Sequence, residues 1–209
     1  MEWLAASPRF RAFAEAHRDK IRKKIRGAAA PDAVRDVRAE LATARLLLAD
    51  RRVELGFEAY GSGKTGPDFT ITFRDARSFN LEVTRLRRLP DATGLAASLL
   101  AKLRQLPPSV PNAILFAVDG ESAEALDFDA ATRALRSRAD AKDEAFFTTR
   151  GFEGTRGFYE RFLRLGAVFV WAEVATGDAR ATLWFNRSAR IAMPQSAARA
   201  CLACLRDDS

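Results

Sequence analysis

At 209 residues, with 48% apolar positions, 29% charged positions and fifteen phenylalanines, the chain can bury a substantial core, which excludes a disordered or low-complexity protein. Its longest apolar run, AVFVWAEVA from Ala167, is far shorter than the ~20 residues of a membrane-spanning helix, and its first residues lack an uninterrupted apolar segment, so we expect a cytoplasmic protein without membrane contact. The formal charge of +7 favours polyanionic partners, nucleic acid being the commonest, and two cysteines, Cys201 and Cys204, exclude a disulfide framework.

Residues 8 to 26 read as one helix, with Arg9, Arg11, Arg18, Lys20, Arg22, Lys23, Lys24 and Arg26 against Glu15 and Asp19. Arg22, Lys23, Lys24 and Arg26 make it a candidate phosphate contact; a solvated charged face is the alternative. A second helix runs from about Asp32 to about Arg52 on a stripe of Val34, Val37, Leu41, Ala44 and Leu48. Glu40 falls at the border of that stripe, where a carboxylate can lean toward a sheet or stay on the surface. Val53 to Tyr60 alternates as a strand. The GSGKTG that follows is no phosphate loop, because Glu58 stands where its first glycine belongs and a strand rather than a helix comes next; it is a connection that carries Lys64.

The stretch Gly66 to Arg85 holds two strands. Phe69, Ile71 and Phe73 alternate with Asp68, Thr70 and Thr72, and Phe79, Leu81 and Val83 with Asn80, Glu82 and Thr84. Pairing the apolar faces requires an even register, which puts Asp68 and Glu82 on one face roughly 5 to 8 Å apart, close enough to share a cation. The plain alternative is an amphipathic hairpin with solvated acids. A basic turn with Arg87 and Arg88 follows Arg85, then a helix over Thr93 to Leu106 with Lys102 bordering its apolar stripe, then a continuous apolar strand over Asn112 to Val118, expected to pair in parallel through that crossover helix.

Residues 121 to 165 predict two helices around TTRGFEGTRGFYERF, whose Arg150, Arg156 and Arg161 with Phe152, Phe158 and Tyr159 suit either a nucleic-acid strand or the core. Strands follow over Ala167 to Val174 and Ala181 to Phe185. A closing helix after Pro194 places Cys201 and Cys204 on one face, where packing explains them. The organisation expected is a single domain over 1–209, with a basic N-terminal helix (1–30), a core (31–118), and a helical insertion, further strands and closing helix (119–209).

The order helix, three strands, helix, strand over roughly residues 31 to 118, with Glu40 in the helix, Pro67-Asp68 opening the second strand and Glu82-Val83-Thr84 in the third, resembles the PD-(D/E)XK nuclease superfamily. The resemblance implies an α/β, restriction-endonuclease-like αβββαβ core with a mixed central sheet flanked by helices and extra N- and C-terminal elements. It implies a magnesium-dependent endonuclease in which Asp68, Glu82, the Val83 carbonyl and Glu40 hold Mg2+ (or Mn2+) and a lysine assists the attacking water. Thr84 replaces the family's lysine; Lys102 is the best-placed substitute and Lys64 the second.

Phosphodiester hydrolysis needs charge neutralisation and an activated water, and a hard cation on carboxylate oxygens supplies both. The expected partner is nucleic acid, DNA more than RNA, held by Arg22, Lys23, Lys24, Arg26, Lys64, Arg85, Arg87 and Arg88, with a homodimer left open. An inactive descendant that binds nucleic acid or another protein is the alternative, and a structural partner whose charge serves only solubility is a third class.

Overall fold

Alternating aromatic and polar residues build three antiparallel strands, β1 (Val53–Phe57), β2 (Phe69–Phe73) and β3 (Phe79–Leu86), in which Phe57 faces Phe69 and Phe69 faces Leu81. This register gathers Phe57, Phe69, Ile71, Phe79, Leu81 and Val83 on one side of the sheet, where they are buried. The computed structural model describes residues 7–60, 66–74, 78–119, 125–173 and 179–206.

Helix α1 (Pro8–Ala16), α2 (Arg18–Gly27) and α3 (Pro31–Ala49) precede β1. After β3, α4 (Ala92–Leu103) crosses over to β4 (Asn112–Asp119), which pairs in parallel with β3 as the apolar run predicts. Three helices, α5 (Phe128–Asp140), α6 (Glu144–Thr148) and α7 (Gly154–Phe162), lead to β5 (Leu165–Glu173), parallel to β4; then come β6 (Ala179–Phe185), antiparallel to β5, and α8 (Gln195–Arg206). The result is an α/β fold around a six-stranded mixed sheet in the order β1-β2-β3-β4-β5-β6.

Two cores sandwich the sheet. Ala113, Leu115 and Ala117 of β4 join the side packed by α1, α3 and α8, while Ile114, Phe116 and Val118 join the side packed by α4, α5, α6 and α7. A strand buried on both faces has no polar alternation, which is why β4 reads as a continuous apolar run. Cys201 and Cys204 are buried on α8. Among the described residues no helix is long and apolar enough to cross a membrane.

Several expectations are corrected. The basic N-terminal helix is two helices, broken at His17 where the backbone leaves the helical region (φ −110°, ψ 18°). The break lets Phe10 and Phe13 bury in the core while α2, which has no buried residue, runs separately. β1 ends at Phe57 because Glu58 adopts a left-handed φ of 45°, and α3 stops at Ala49. Among the described residues the region after β4 holds three helices rather than two, since Asp143 caps a separate short helix at the Phe146 amide. Its Phe152 and Phe158 are buried and Tyr159 donates its hydroxyl to Asp140 at 2.6 Å, so these aromatics serve the fold.

The polar face of β3 is not solvated, because α4 lies on the Glu82 side and covers it; Asn80 and Glu82 are both buried. Asn80 donates to the Asn112 side-chain oxygen and to the Tyr60 hydroxyl, each at 3.0 Å, and accepts from the Thr70 hydroxyl at 3.0 Å. Asn112 in turn donates to the Pro107 carbonyl at 2.9 Å and lies 3.1 Å from that of Arg164, so one polar chain ties β2, β3, β4 and the start of β5. Asn80→Ala should cost about 1–3 kcal/mol in denaturant unfolding, because it leaves the Asn112 oxygen dry and unpartnered.

Candidate active site

Four carboxylates meet at one end of β2 and β3. Asp68 immediately precedes β2, and its Oδ2 accepts the Val83 backbone N–H at 2.9 Å, which fixes it across from Glu82 in the register that pairs Phe69 with Leu81. Continuing the β1–β2 pairing past Phe57 and Phe69 sets Glu58 across from Asp68, and the Glu58 amide donates to the Asp68 carbonyl at 2.8 Å. Glu40 reaches the same place from α3.

Two lysines stand among these acids. The Lys24 ammonium, from α2, contacts Glu40 Oε2 and lies 3.3 Å from Glu58 Oε1 and 3.2 Å from Asp68 Oδ1. Lys102, from α4, donates to Glu82 Oε1 at 2.8 Å. Gln105, oriented with its amide NH2 toward the same carboxylate, donates to both Glu82 oxygens at 2.6 and 2.9 Å.

The charges do not balance. Fully ionised, four carboxylates against two contacting ammoniums leave two negative charges in excess. Burial, then the neighbouring Asp68 charge, pushes Glu40 up to about 7 and Glu82 up to about 8, each above the ordinary 4.5. Burial disfavours the Lys24 ammonium, but Asp68 and Glu40 outweigh it and hold its pKa above the ordinary value. One ammonium shared by three carboxylates is itself tightly held, yet relieves each carboxylate only in part.

Of the residues expected to act together, Asp68, Glu82, Glu40, Val83 and Lys102 are brought to one place. Among the described residues, however, no group of three or more acidic, histidine or cysteine side chains is placed to hold a metal ion; Lys24 stands among Glu40, Glu58 and Asp68, and Lys102 against Glu82. The donors are all oxygen, and their excess negative charge fits a hard divalent cation such as Mg2+ or Mn2+. Lys64 lies outside the described residues.

Two expected nucleic-acid contacts are turned inward in the structure. Lys24 points into the acids, and the Arg85 side chain, 4% exposed, is spent on Asp32 at 2.8 Å and Asp36 at 3.1 Å. Arg22, Lys23, Arg26 and Arg88 are exposed, as is Arg87, which pairs with Asp32 at 3.2 Å. Arg9 and Lys20 also turn inward, to the Leu48 carbonyl at 2.9 Å and the Phe57 carbonyl at 3.0 Å, so part of the basic charge docks the N-terminal helices.

The residues that sequence reasoning missed are Glu58, Gln105 and Lys24 as a member of the site. Extending the period-2 pairing by one position would have found Glu58, and the three-residue step from Lys102 would have put Gln105 on the same helical face. Nothing in the sequence signals the inward turn of Lys24, which depends on the break at His17. Comparison with protein-family models, curated proteins and solved structures finds no match to this chain.

The raised carboxylates set a pH dependence. Between 4.5, where they titrate in the unfolded chain, and the folded values of about 7 and 8, the folded state holds protons that the unfolded state has lost. Metal-free stability should therefore fall as pH rises from about 5 to about 8 and level off above that. Melting temperatures across this range will check it, and Glu82→Gln should flatten the upper part of the slope.

Proposed function

We propose that this chain is a divalent-metal-dependent nuclease that hydrolyses phosphodiester bonds of nucleic acid, DNA more than RNA, on a restriction-endonuclease-like core formed by α3, β1, β2, β3, α4 and β4. The observation that carries this reading is the excess of carboxylate over ammonium, four against two, gathered from β3, the residues flanking β1 and β2, and a helix. A protein has little structural reason to hold acids together at that cost, and a divalent cation removes it.

Asp68 and Glu82 would hold the cation with the Val83 backbone, and Glu40 would join directly or through water. When bound, magnesium or manganese supplies a Lewis acid for a phosphate oxygen and lowers the pKa of water. The chain's own residues do the rest. Val83 N–H aims Asp68, and Gln105 orients Glu82. Lys102, on the same face as Thr84, supplies the positive charge that threonine cannot offer to a developing phosphorane. Exposed Arg22, Lys23, Arg26, Arg87 and Arg88 provide salt-sensitive, sequence-independent contacts to the phosphate backbone.

A second reading, an inactive descendant that binds nucleic acid or another protein, is favoured by one observation: Lys24 fills the space among Glu40, Glu58 and Asp68. Calorimetry with millimolar Mn2+ separates the two. The nuclease reading expects binding and a rise in melting temperature, both lost in Asp68→Ala, whereas no binding by either the wild type or Lys24→Ala leaves only the second reading. Lys102→Met should abolish cleavage of a plasmid substrate while Mn2+ still binds at least as tightly, because the ammonium is not a ligand and its charge opposes the cation; full cleavage by this variant removes Lys102 from the reaction.

The footprint has its own test. Reversing Arg22, Lys23 and Arg26 to glutamate should weaken DNA binding equally across sequences and lower the slope of its salt dependence by roughly one for each phosphate that is no longer neutralised. Unchanged affinity would remove α2 from the interface.

A further inference from the structure

Lys24 is attached to the site by an unusual element. α2 fully buries none of its residues; Ile21 packs half-buried against the core, and the polar inward ties are two lysines one helical turn apart: Lys20, whose ammonium donates to the Phe57 and Glu58 carbonyls at 3.0 and 3.2 Å, and Lys24, among the carboxylates. A helix docked through two ammonium groups and one half-buried isoleucine is held largely by electrostatics, and a competing cation can displace it. The three carboxylates come from α3, the end of β1 and the start of β2, and Glu58 reaches Lys24 from a left-handed backbone at φ 45°. These acids are therefore arranged around a cation, and Lys24 is the cation that the chain itself provides.

We propose that Lys24 is a positioning residue that acts as a tethered counter-ion: it holds Glu40, Glu58 and Asp68 together until a divalent cation enters, and it is then expelled, undocking α2. The inference rests on the metal-dependent reading of the site. Its consequence is that cation binding and the presentation of α2 are one event. The departing ammonium joins Arg22, Lys23 and Arg26, already exposed on the same helix, as a contact to the phosphate backbone only once the site is loaded. The chain thus carries its own competitor for the cation, which raises the concentration of metal needed to fill the site.

The test compares Mn2+ titrations by calorimetry for the full wild-type chain, Lys24→Ala and Lys20→Ala. Lys24→Ala should bind Mn2+ more tightly by about tenfold or more, the scale on which a charge a few ångströms away shifts an ionic equilibrium. Lys20→Ala removes the same charge from the same helix but touches only backbone carbonyls, and should change the affinity far less. Equal tightening in both variants, or none in Lys24→Ala, overturns the tethered role while leaving the metal site standing. If neither the wild type nor Lys24→Ala binds Mn2+ or Mg2+, the metal-dependent reading falls and this inference with it.

A second measurement needs no variant. Trypsin should cut the wild-type chain within α2, after Arg22, Lys23 or Arg26, several-fold faster with Mn2+ than without, even as the rest of the chain becomes more resistant. Slower or unchanged cutting there means that α2 stays docked when the site is filled, and ends the proposal.

Discussion

Like charges held close in a partly dry place are the constraint around which this end of the molecule is arranged. Asp68 lies among Glu40, Glu58 and Glu82, and its own position is fixed by a hydrogen bond from the Val83 backbone of the interior strand β3 rather than from any adjustable side chain. The sheet thus imposes the repulsion and the surrounding elements answer it, α2 with Lys24, α4 with Lys102 and the turn after α4 with Gln105. Each answer is incomplete. Protonation of two glutamates, entry of a cation, or a change in the docking of α2 are the ways left to relieve the remainder.

How the acids come together follows from strand geometry. A two-residue period and an apolar face that must be buried leave one acceptable register for β2 against β3 and one for β1 against β2, and both place an acid at the same level of the sheet. Glu40 depends instead on helix packing: it sits on the margin of the α3 stripe, and burial of Ala39, Thr43 and Leu47 against the sheet turns that margin inward. The crossover helix α4 then closes the polar face that an isolated hairpin would leave to water.

What could be read from the sequence divides along the same line. Strands β1 to β4, their antiparallel and parallel pairing, and the coincidence of Asp68 with Glu82 are products of local period and burial, and single-chain pattern carries that information. The inward turn of Lys24 and Arg85 is not local. Arg85 looks like a basic strand residue until Asp32 and Asp36, about fifty positions earlier, are folded beside it, and Lys24 looks like any lysine on a charged helix until the kink at His17 redirects α2. Long cationic side chains are the least legible residues, because their reach lets tertiary placement decide between solvent and a buried partner.

The Asn80–Asn112 pair leaves a trace of a different kind. The Asn80 amide NH2 completes the Asn112 side-chain oxygen in the buried interior, and each residue also satisfies further groups, so a change at either position alone strands polar partners. The two positions, thirty-two apart in the chain, are thereby tied in their history: across descendants of this fold they should drift together or not at all, as a correlated pair linking the third and fourth strands.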